Sequence, residues 1–396
     1  MIEVAQSVER TEVSAQAPVP VMHLIHTVAY GGVETAVLNW LRTIDRARFT
    51  PYLVCFANPG QTELPFIEAA MRAGFNVETI PWRRSKPALQ SARKLAALMR
   101  DKGVRILHTH NTYADLVGLI AARLAGDPNA RVRTITTLYV WSKLNWKRDL
   151  LQWCNRVLLR WFDMVSAHCE ITYDQTLAFG VRRERLRLLI CGFEASVHEA
   201  SREERDRRRC ELGAQPGDPV LINVARLYPE KEQKLLLESF RAILASEPRA
   251  KLWIAGVGPL DQELRAHCTG LGLDGSTNFL GFVKDLPELL SLADIHVNSS
   301  SAEGVPLAIC SAMAAGLPIV ATEVGGLPEI LDHGRAGVLV PFGDQQCFVE
   351  AANALIRSPS LRERYGSAAQ RFIAEDYSLT SAVKRLEQTY DELLHA

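Results

Sequence analysis

The sequence predicts an α/β protein of two doubly wound, Rossmann-like domains that face each other across a cleft. The chain has 396 residues, a length that suits two ordinary domains better than one core. Short apolar segments alternate with helical patterns in two separate series, as expected for parallel sheets that helices cover on both faces. A charged and then turn-rich segment, residues 201–219, separates the two series.

The first series begins with a strand at 21–26, which the glycine pair Gly31-Gly32 and a helical pattern follow. A strand, a glycine turn and a helix in this order open a βαβ unit. The same alternation predicts further strands at 52–56, 76–80, 105–108 and 132–137, and helices at 64–73, 90–102 and 114–125.

The second series begins with a strand at 220–224, and the charged run 201–209 before it is interpreted as a solvated helix face. Further strands are predicted at 251–255, 278–280, 295–298, 319–321 and 337–340, and helices at 234–245, 260–268, 306–315 and 360–394. The resulting division is a loose tail (1–20), a first domain (21–195), a link (196–218), a second domain (219–375) and a C-terminal helix (376–396), for which a return to the first domain is open.

The composition excludes several classes of protein. Lys+Arg and Asp+Glu both total 45, so no overall field attracts nucleic acid and no nucleic-acid partner is expected. The cysteines form no C-x-x-C pair and no zinc-type cluster with histidine, which predicts reduced thiols and no metal site. Residues 1–20 lack the apolar core of a signal peptide, and no apolar run reaches about 18 residues. We therefore expect a cytoplasmic protein, with a peripheral position at the inner face of the plasma membrane as the alternative.

The turn after the strand at 295–298 has the composition of an anion and sugar site. Small residues are followed by Glu303, and a helix is predicted to start at Pro306, where the fixed φ of proline suits the first helical position. The unpaired N–H groups at such a helix start favour a diphosphate, and Glu303 would accept hydrogen bonds from sugar hydroxyls. Arg226 and Lys231 follow the first strand of the same domain, so both cations can reach that diphosphate and stabilise its charge without a metal.

Six motifs of the second half also occur in a characteristic order. They are Arg226-Leu227-x-Pro229-x-Lys231, Ala255-Gly256-x-Gly258-Pro259, Leu280-Gly281-Phe282, Glu303-Gly304-x-Pro306-Leu307, Ala312-Met313-Ala314-Ala315-Gly316-x-Pro318 and Val324-Gly325-Gly326-x-Pro328-Glu329. From Val21 onward the chain resembles family 4 of the retaining glycosyltransferases, the group 1 enzymes of the GT-B type. The resemblance implies transfer of a hexosyl unit from a nucleoside-diphosphate sugar, with no further cofactor, to a glycan or polyprenyl-linked saccharide in surface polysaccharide biosynthesis.

The same resemblance implies roles for individual residues. Arg226 and Lys231 would contact the donor diphosphate, and Glu303 would contact the transferred sugar. The first domain would bind the acceptor. His110 would either take a proton during catalysis or have a structural role at the end of its strand. The remaining residues are expected to surround the donor (Gly31, Gly32, Gly256, Phe282, Gly304, Val305, Pro306, Leu307, Ser311) or the acceptor (His110, Asn111, Tyr139).

Two positions depart from the family pattern. The family commonly carries a second Glu eight positions after the first, where this chain has Ser311, and a His near the sugar, where it has Tyr139. Serine lacks the charge for a strong ribose contact, and tyrosine can donate a hydrogen bond but is a poor base at neutral pH. The interpretations left open are an active transferase with altered donor contacts, a slow or inactive scaffold partner, and a nucleotide-sugar epimerase.

A basic and aromatic stretch, residues 131–162, has two interpretations. It interleaves Trp141, Trp146, Trp153 and Trp161 with Arg and Lys. Such a segment suits the surface of an anionic membrane that presents a polyprenyl-linked acceptor. The alternative is an amphipathic helix whose tryptophans fill the core of the first domain.

Overall fold

The computed structural model describes residues 17–26, 32–57, 65–81, 88–126, 131–139, 155–194, 198 and 201–395. Two sheets, one of seven and one of six strands, organise this part of the chain. Every pair of neighbouring strands in both sheets is parallel. Two doubly wound α/β domains, the predicted fold class, are therefore confirmed.

The first sheet has the strand order β3-β2-β1-β4-β5-β6-β7. Because the order reverses between β1 and β4, the carboxyl ends of these strands border the crevice where doubly wound sheets bind ligands. The strands are β1 (Val19–Ile25), β2 (Phe49–Ala57), β3 (Val77–Pro81), β4 (Ile106–His110), β5 (Arg133–Leu138), β6 (Met164–Ala167) and β7 (Leu186–Leu188).

The second sheet has the strand order β10-β9-β8-β11-β12-β13, with its own reversal between β8 and β11. Arg226 and Lys231 follow β8, and Glu303 follows β11, so the topology brings these residues to the same edge of the sheet. The strands are β8 (Val220–Val224), β9 (Lys251–Ala255), β10 (Thr277–Gly281), β11 (Ile295–Asn298), β12 (Ile319–Thr322) and β13 (Val338–Val340).

Helices cover the faces of both sheets. Those with described bounds in the first half are α1 (Gly32–Thr43), α2 (Pro65–Arg72), α3 (Ala88–Asp101), α4 (Thr112–Ala125) and α5 (Glu170–Ala178). The second half contributes α6 (Arg202–Glu211), α7 (Gln233–Ser246), α8 (Asp261–Gly270), α9 (Leu286–Ser291), α10 (Leu307–Ala314), α11 (Leu327–Ile330), α12 (Gln345–Arg357), α13 (Pro359–Asp376) and α14 (Leu379–His395). No helix in the described ranges combines the length and apolarity needed to cross a membrane.

The last helix, α14, packs on the first domain although it follows the second. Its apolar residues recur at helical spacing and join the core around Val21 and Ile106. Backbone hydrogen bonds join the segments that connect the domains, because Phe193 N donates to Tyr377 O at 2.7 Å and Leu379 N donates to Phe193 O at 3.0 Å. The C-terminal residues therefore complete the core of the first domain.

Two details of the predicted elements differ from the structure. The helical pattern 360–394 is two helices, α13 and α14, because the chain turns at residues 377–378 to pass between the domains. The interpretation of 201–209 as a solvated face is wrong for Arg209, which is 2% exposed. Its guanidinium pairs with Asp294 at 3.0 Å, which attaches α6 to the second domain.

Candidate functional site

Lys231 and Glu303 form a half-enclosed ion pair at the carboxyl edge of the second sheet. The Lys231 Nζ lies 2.7 Å from Glu303 Oε1. The same oxygen accepts hydrogen bonds from Ser300 Oγ at 2.6 Å and Asn298 Nδ2 at 3.2 Å. Glu303 is only 7% exposed, so its carboxylate is fixed before any ligand binds. The structure thus joins two residues that the sequence predicted separately, and adds Ser300 and Asn298, which the sequence analysis missed.

A second glycine pair holds the backbone of Glu303 in place. A Cβ at Gly325 would lie 1.8 Å from the Glu303 carbonyl oxygen, and one at Gly326 would lie 2.4 Å from that of Gly304. The Gly326 N–H donates to Glu303 O at 3.2 Å. Only glycine permits this approach, because a side chain would collide with the peptide. The Gly-Gly motif therefore shapes the turn that carries the candidate sugar-binding acid.

The start of α10 offers unpaired backbone donors. Gly304, Val305, Leu307 and Ala308 donate no backbone N–H hydrogen bond to any part of the chain that the structure describes. Helix starts leave such amides free, and the helix dipole adds partial positive charge. Pro306 occupies the N-cap rather than the first helical position, so its prediction is corrected by one residue. The arrangement can bind an anion beside Lys231.

The first domain closes over this edge at two places. A Cβ at Gly32 would lie 3.9 Å from Leu307 Cδ1, so the glycine turn after β1 faces the start of α10. A Cβ at Gly326 would lie 3.5 Å from Cys169 Cβ, and Glu170 N donates to Glu329 Oε2 at 2.5 Å. The predicted cleft is thus bordered by both domains. Gly31 lies outside the described residues.

Arg226 occupies a more open position than Lys231. Its side chain is 68% exposed and lies 3.7 Å from Glu230. Its guanidinium carbon lies 4.8 Å from the centre of the Tyr228 ring. It makes no ion pair with Glu303 among the described residues. Arg226 is therefore free to turn toward a ligand in the cleft.

Gly256 and Phe282 lie next to one another beyond β9 and β10. Gly256 N donates to Gly281 O at 2.7 Å, and Phe282 is 78% exposed. A Cβ at Gly256 would lie 1.9 Å from the Ala225 carbonyl oxygen, so glycine is required to pack this loop against the chain that carries Arg226. An exposed aromatic ring in this position suits stacking on a nucleotide base.

Ser311 lies in the second turn of α10 and is half-buried. Its hydroxyl donates to the Leu307 carbonyl at 2.9 Å. The side chain is thus turned back onto its own helix, a common behaviour of serine in helices. A ribose contact by Ser311 remains a prediction.

Asn111, predicted to bind an acceptor, serves the backbone in this structure. Its Oδ1 accepts from Ala114 N at 3.4 Å as the cap of α4, and its Nδ2 donates to His26 O at 2.8 Å. Its φ of 102° is unusual for a residue with a side chain. The two polar atoms of the side chain are therefore already engaged at the end of β4.

His110 lies behind Tyr139 and has no exposed surface. Burial, with a contribution from His23, holds the pKa of His110 well below its usual value. A neutral, enclosed imidazole is a poor general base for a substrate. The structure therefore favours the structural alternative for His110, and places the half-buried Tyr139 beside it, with its hydroxyl 3.3 Å from His110 Nδ1.

The sequence analysis missed the partners of His110. His23 and His108 stand side by side in the register of β1 and β4, and both are buried. Tyr390 of α14 contacts both of them. The alternation His108-x-His110 was a visible signal that two histidines share one face of a strand, but nothing local indicated Tyr390.

Arg131 and Trp161 of the basic stretch lie at the opposite edge of the first sheet, before β5 and β6. Trp161 is 51% exposed, and Arg131 and Asp163 form an ion pair of 2.6 Å before the first residues of β5 and β6. Arg123 lies 5.7 Å from the centre of the Trp161 ring. Trp141, Trp146 and Trp153 lie outside the described residues, so the two interpretations of residues 131–162 stay predictions.

Comparisons with known proteins show the family to which the chain is similar. The model for Glycosyltransferase Family 4 matches residues 30–196, and that for Glycosyl transferases group 1 matches residues 204–372. EpsD of Bacillus subtilis is 28% identical over 342 residues, which cover 84% of this chain and 87% of EpsD. The UDP-Gal:alpha-D-GlcNAc-diphosphoundecaprenol alpha-1,3-galactosyltransferase of Escherichia coli is 24% identical over 87% of this chain and 89% of its own.

Solved structures show the same fold. HepE of Anabaena in complex with UDP-glucose has a TM-score of 0.80 at 22% identity, over 94% of this chain and 99% of that chain. The sucrose-phosphate synthase of Thermosynechococcus elongatus has a TM-score of 0.74 at 18% identity, over 95% and 99% of the two chains. At these identities the likeness concerns the fold alone, which is the two-domain fold described above.

Proposed function

The chain belongs to glycosyltransferase family 4, the group 1 glycosyl transferases, and from this premise we propose that it moves a hexosyl unit from a nucleoside-diphosphate sugar to a saccharide hydroxyl with retention of configuration. The proposed acceptor is a glycan or a lipid-linked saccharide in surface polysaccharide assembly. A relative named for a diphosphoundecaprenol-linked acceptor supports this class of acceptor. The same proposal includes a cytoplasmic location for the present protein and its contact with a membrane through residues 131–162.

One observation carries the proposal most strongly. The Lys231–Glu303 pair precedes the free amides at the start of α10, where Leu307 lies against the glycine turn of the first domain. The amides and the ammonium would hold the donor diphosphate. The enclosed carboxylate would accept hydrogen bonds from the transferred sugar. Phe282 and the Gly256 loop would border the base, and the UDP-glucose complex of HepE makes uracil the first base to test.

The proposed reaction is a displacement on one face of the sugar. The acceptor oxygen forms a bond to the anomeric carbon as the bond to the diphosphate oxygen breaks, and the acceptor proton passes to the departing phosphate. Negative charge grows on the nucleotide in this step. The α10 amides, Lys231 and Arg226 would stabilise that charge, and such preorganised donors are usually the largest catalytic contribution. No enzyme nucleophile is required.

The test is the release of nucleoside diphosphate from UDP-glucose, UDP-galactose, UDP-N-acetylglucosamine and GDP-mannose, with and without saccharide acceptors. Release that an acceptor stimulates supports transfer. An isomerised donor would support the epimerase instead. Binding without turnover from every donor would support the scaffold partner, the alternative that Ser311 favours because the expected ribose-binding acid is absent.

Arg226→Ala is expected to weaken UDP binding by about 10- to 100-fold, the value of one charge-assisted hydrogen bond to phosphate. Its folding stability should change little, since the side chain is mostly exposed. Isothermal calorimetry with UDP measures the affinity. The control is Arg207→Ala, which removes an exposed arginine that pairs with Glu211 on α6. Equal UDP affinity in wild type and Arg226→Ala would remove Arg226 from the donor site.

Ser311→Glu is expected to tighten UDP binding by about tenfold, because a carboxylate at this position would restore a charge-assisted contact to the ribose. Ser311→Gln, which has the same length without the charge, is the matched control. Calorimetry with UDP compares the three proteins. If the Glu variant binds UDP no better than the Gln variant, Ser311 does not occupy the ribose position.

A further inference from the structure

A buried cluster of hydrogen-bonding side chains connects α14 with the carboxyl edge of the first sheet. His23, His108 and His110 have ligand atoms within 4.8 Å of one another. His23 Nδ1 lies 3.0 Å from His110 Nε2, and His23 Nε2 lies 3.0 Å from the Tyr390 hydroxyl. His108 Nδ1 lies 2.8 Å from the same hydroxyl. With Tyr139 on His110, both nitrogens of each of these rings have a partner.

The inner end of this chain fixes the direction of its hydrogen bonds. Ser166 Oγ donates to the Thr136 carbonyl, which can only accept, at 3.1 Å. A hydroxyl has a single hydrogen, so as long as Ser166 keeps its bond to the carbonyl, Thr137 donates to Ser166 Oγ across their 2.7 Å contact. The Thr137 oxygen then accepts from His108 Nε2 at 2.7 Å. This arrangement requires a neutral His108 with its proton on Nε2.

The direction of each further hydrogen bond follows from the one before it, from His108 outward to Tyr139. His108 Nδ1 accepts from Tyr390, whose oxygen accepts from His23 Nε2. His23 Nδ1 accepts in turn from His110 Nε2, and His110 Nδ1 accepts from the Tyr139 hydroxyl. The opposite direction is less favourable, because the Ser166 hydrogen would be used on Thr137 and the bond to the Thr136 carbonyl would be lost.

Two other functions of the cluster fit less well. A metal ion would need ring nitrogens with free electron pairs, and each such nitrogen here already accepts a hydrogen bond. A proton relay needs an exit, and this chain ends on a backbone carbonyl that has no proton to pass on. A fixed, one-directional chain is what remains.

The outer end of this hydrogen-bonded series is Tyr139, at the carboxyl edge of the first sheet. Tyr139 follows β5, which stands between β4 and β6 in the first sheet. The contacts of Gly32 with Leu307 and of Cys169 with Gly326, which close the cleft, lie after β1 and after β6. Tyr139 is half-exposed between them.

We propose that His23, His108, His110 and Tyr390 are positioning residues that fix the Tyr139 hydroxyl as a hydrogen-bond acceptor for a sugar hydroxyl, an inference that rests on the proposed function. Because the Tyr139 hydrogen is directed to His110, its oxygen would offer only lone pairs to a sugar hydroxyl that reaches it. From the sequence alone, Tyr139 was expected to donate a hydrogen bond to the ligand. The hydrogen-bonded series of side chains reverses that expectation. Through Tyr390, helix α14 thereby sets the direction of the hydrogen bond that Tyr139 of the first domain can make with a ligand.

The direct test is the tautomeric state of the histidines in the full-length protein labelled with 15N-histidine. Long-range 1H–15N spectra, assigned with His23→Gln, His108→Gln and His110→Gln, should show all three rings neutral and protonated on Nε2. In Tyr390→Phe the acceptor of His23 Nε2–H is lost, so His23 and His110 should move to the Nδ1 tautomer. Thr389→Val removes another buried hydroxyl of α14, one that bonds Arg385 O, and should leave the tautomers unchanged.

Several results would contradict the proposed directions of these hydrogen bonds. They are an Nδ1 tautomer or a charged ring in the wild type at pH 7, stoichiometric zinc retained by the purified protein, and an unchanged His110 tautomer in Tyr390→Phe. If Tyr390→Phe does not fold, Tyr139→Phe takes its place, since a tryptophan at position 390 would be too large for the buried site. Tyr139→Phe should leave His23 and His108 protonated on Nε2. A change of tautomer in either ring would count against the proposal. None of these measurements requires turnover.

The kinetic test separates the two sources of a sugar hydroxyl. Tyr139→Phe and Tyr390→Phe should raise one KM by roughly three- to tenfold, the effect of one neutral hydrogen bond, with UDP affinity unchanged. A raised donor KM assigns the hydroxyl to the transferred sugar, and a raised acceptor KM assigns it to the acceptor. Unchanged KM values for both substrates in Tyr139→Phe would overturn the acceptor role. A protein without turnover would refute the proposed function. The spectra would still show whether the hydrogen bonds of the histidines have the proposed directions.

Discussion

Lys231→Ala is expected to reduce diphosphate release at least about 100-fold and to destabilise the protein by about 3 kcal/mol. The rate falls because a preorganised cation next to the departing diphosphate is removed. The stability falls because the enclosed Glu303 carboxylate would keep only the neutral partners Ser300 and Asn298. Removing one partner of a buried ion pair leaves an uncompensated charge. Coupled release assays and urea unfolding measure the two effects.

The double variant Lys231→Ala/Glu303→Gln separates these effects. It should regain most of the lost stability, since no unpaired charge remains, but none of the activity. Lys234→Ala is the surface control, because Lys234 pairs with Glu263 in a half-exposed position and such pairs contribute about 0–1 kcal/mol. Near-normal release in Lys231→Ala, or a double variant as unstable as the single one, would contradict the role assigned to this pair.

Acidification is expected to unfold the protein near pH 5. Burial lowers the pKa of His23 to about 3 and the pKa values of His168 and His296 to about 4. It also holds the pKa values of His108 and His110 well below their ordinary range. The unfolded chain binds protons on these rings below about pH 6.5, and the folded chain does not. Their contribution to stability is therefore complete above pH 6.5 and is lost as the pH falls toward the folded pKa values.

The size of the effect follows from the proton linkage. At pH 5 each of His23, His168 and His296 costs about 2 kcal/mol. Asp115 opposes them, because burial raises its pKa to about 7, and it returns about 2 kcal/mol as the pH falls from 7 to 5. The net loss from these four groups is about 4 kcal/mol, a large part of the stability of a typical domain, and the lowered pKa values of His108 and His110 add to it.

Urea unfolding at pH 8, 7, 6 and 5 measures this dependence. His296→Leu offers a matched variant, since neither ring nitrogen of His296 has a hydrogen-bond partner among the described residues. It should unfold at lower pH than the wild type, with little loss of stability at pH 8. A free energy of unfolding that stays constant from pH 8 to pH 5 would show that these rings are not buried in neutral form.

The strands that the sequence predicted are those with a clear apolar run and a turn after it. The strands β6 and β7 were missed because each has only three or four residues, too few for an apolar run to stand out. The glycines of the second domain were visible as motifs. Only the coordinates explain Gly325 and Gly326, because their collisions would be with a peptide more than 20 residues earlier in the chain.

The candidate donor site was largely predictable, since Arg226, Lys231 and Glu303 each follow a strand of one parallel sheet. Doubly wound topology alone then brings them to one edge. What could not be predicted is that Lys231 and Glu303 pair directly while Arg226 stays exposed. That difference depends on side-chain directions, which no spacing encodes.

The sequence by itself determined the two α/β domains, the family resemblance and the edge of the second sheet that carries the charged residues. These features are local, because each depends on hydrophobic periodicity and on a few residues at a strand end. The tertiary structure alone decided the contacts between distant segments: the first domain over α10, α14 across the domain boundary, and Tyr390 on His23 and His108. Such contacts arise because burying apolar surface brings together residues hundreds of positions apart, and hydrogen-bond partners are then set by that packing.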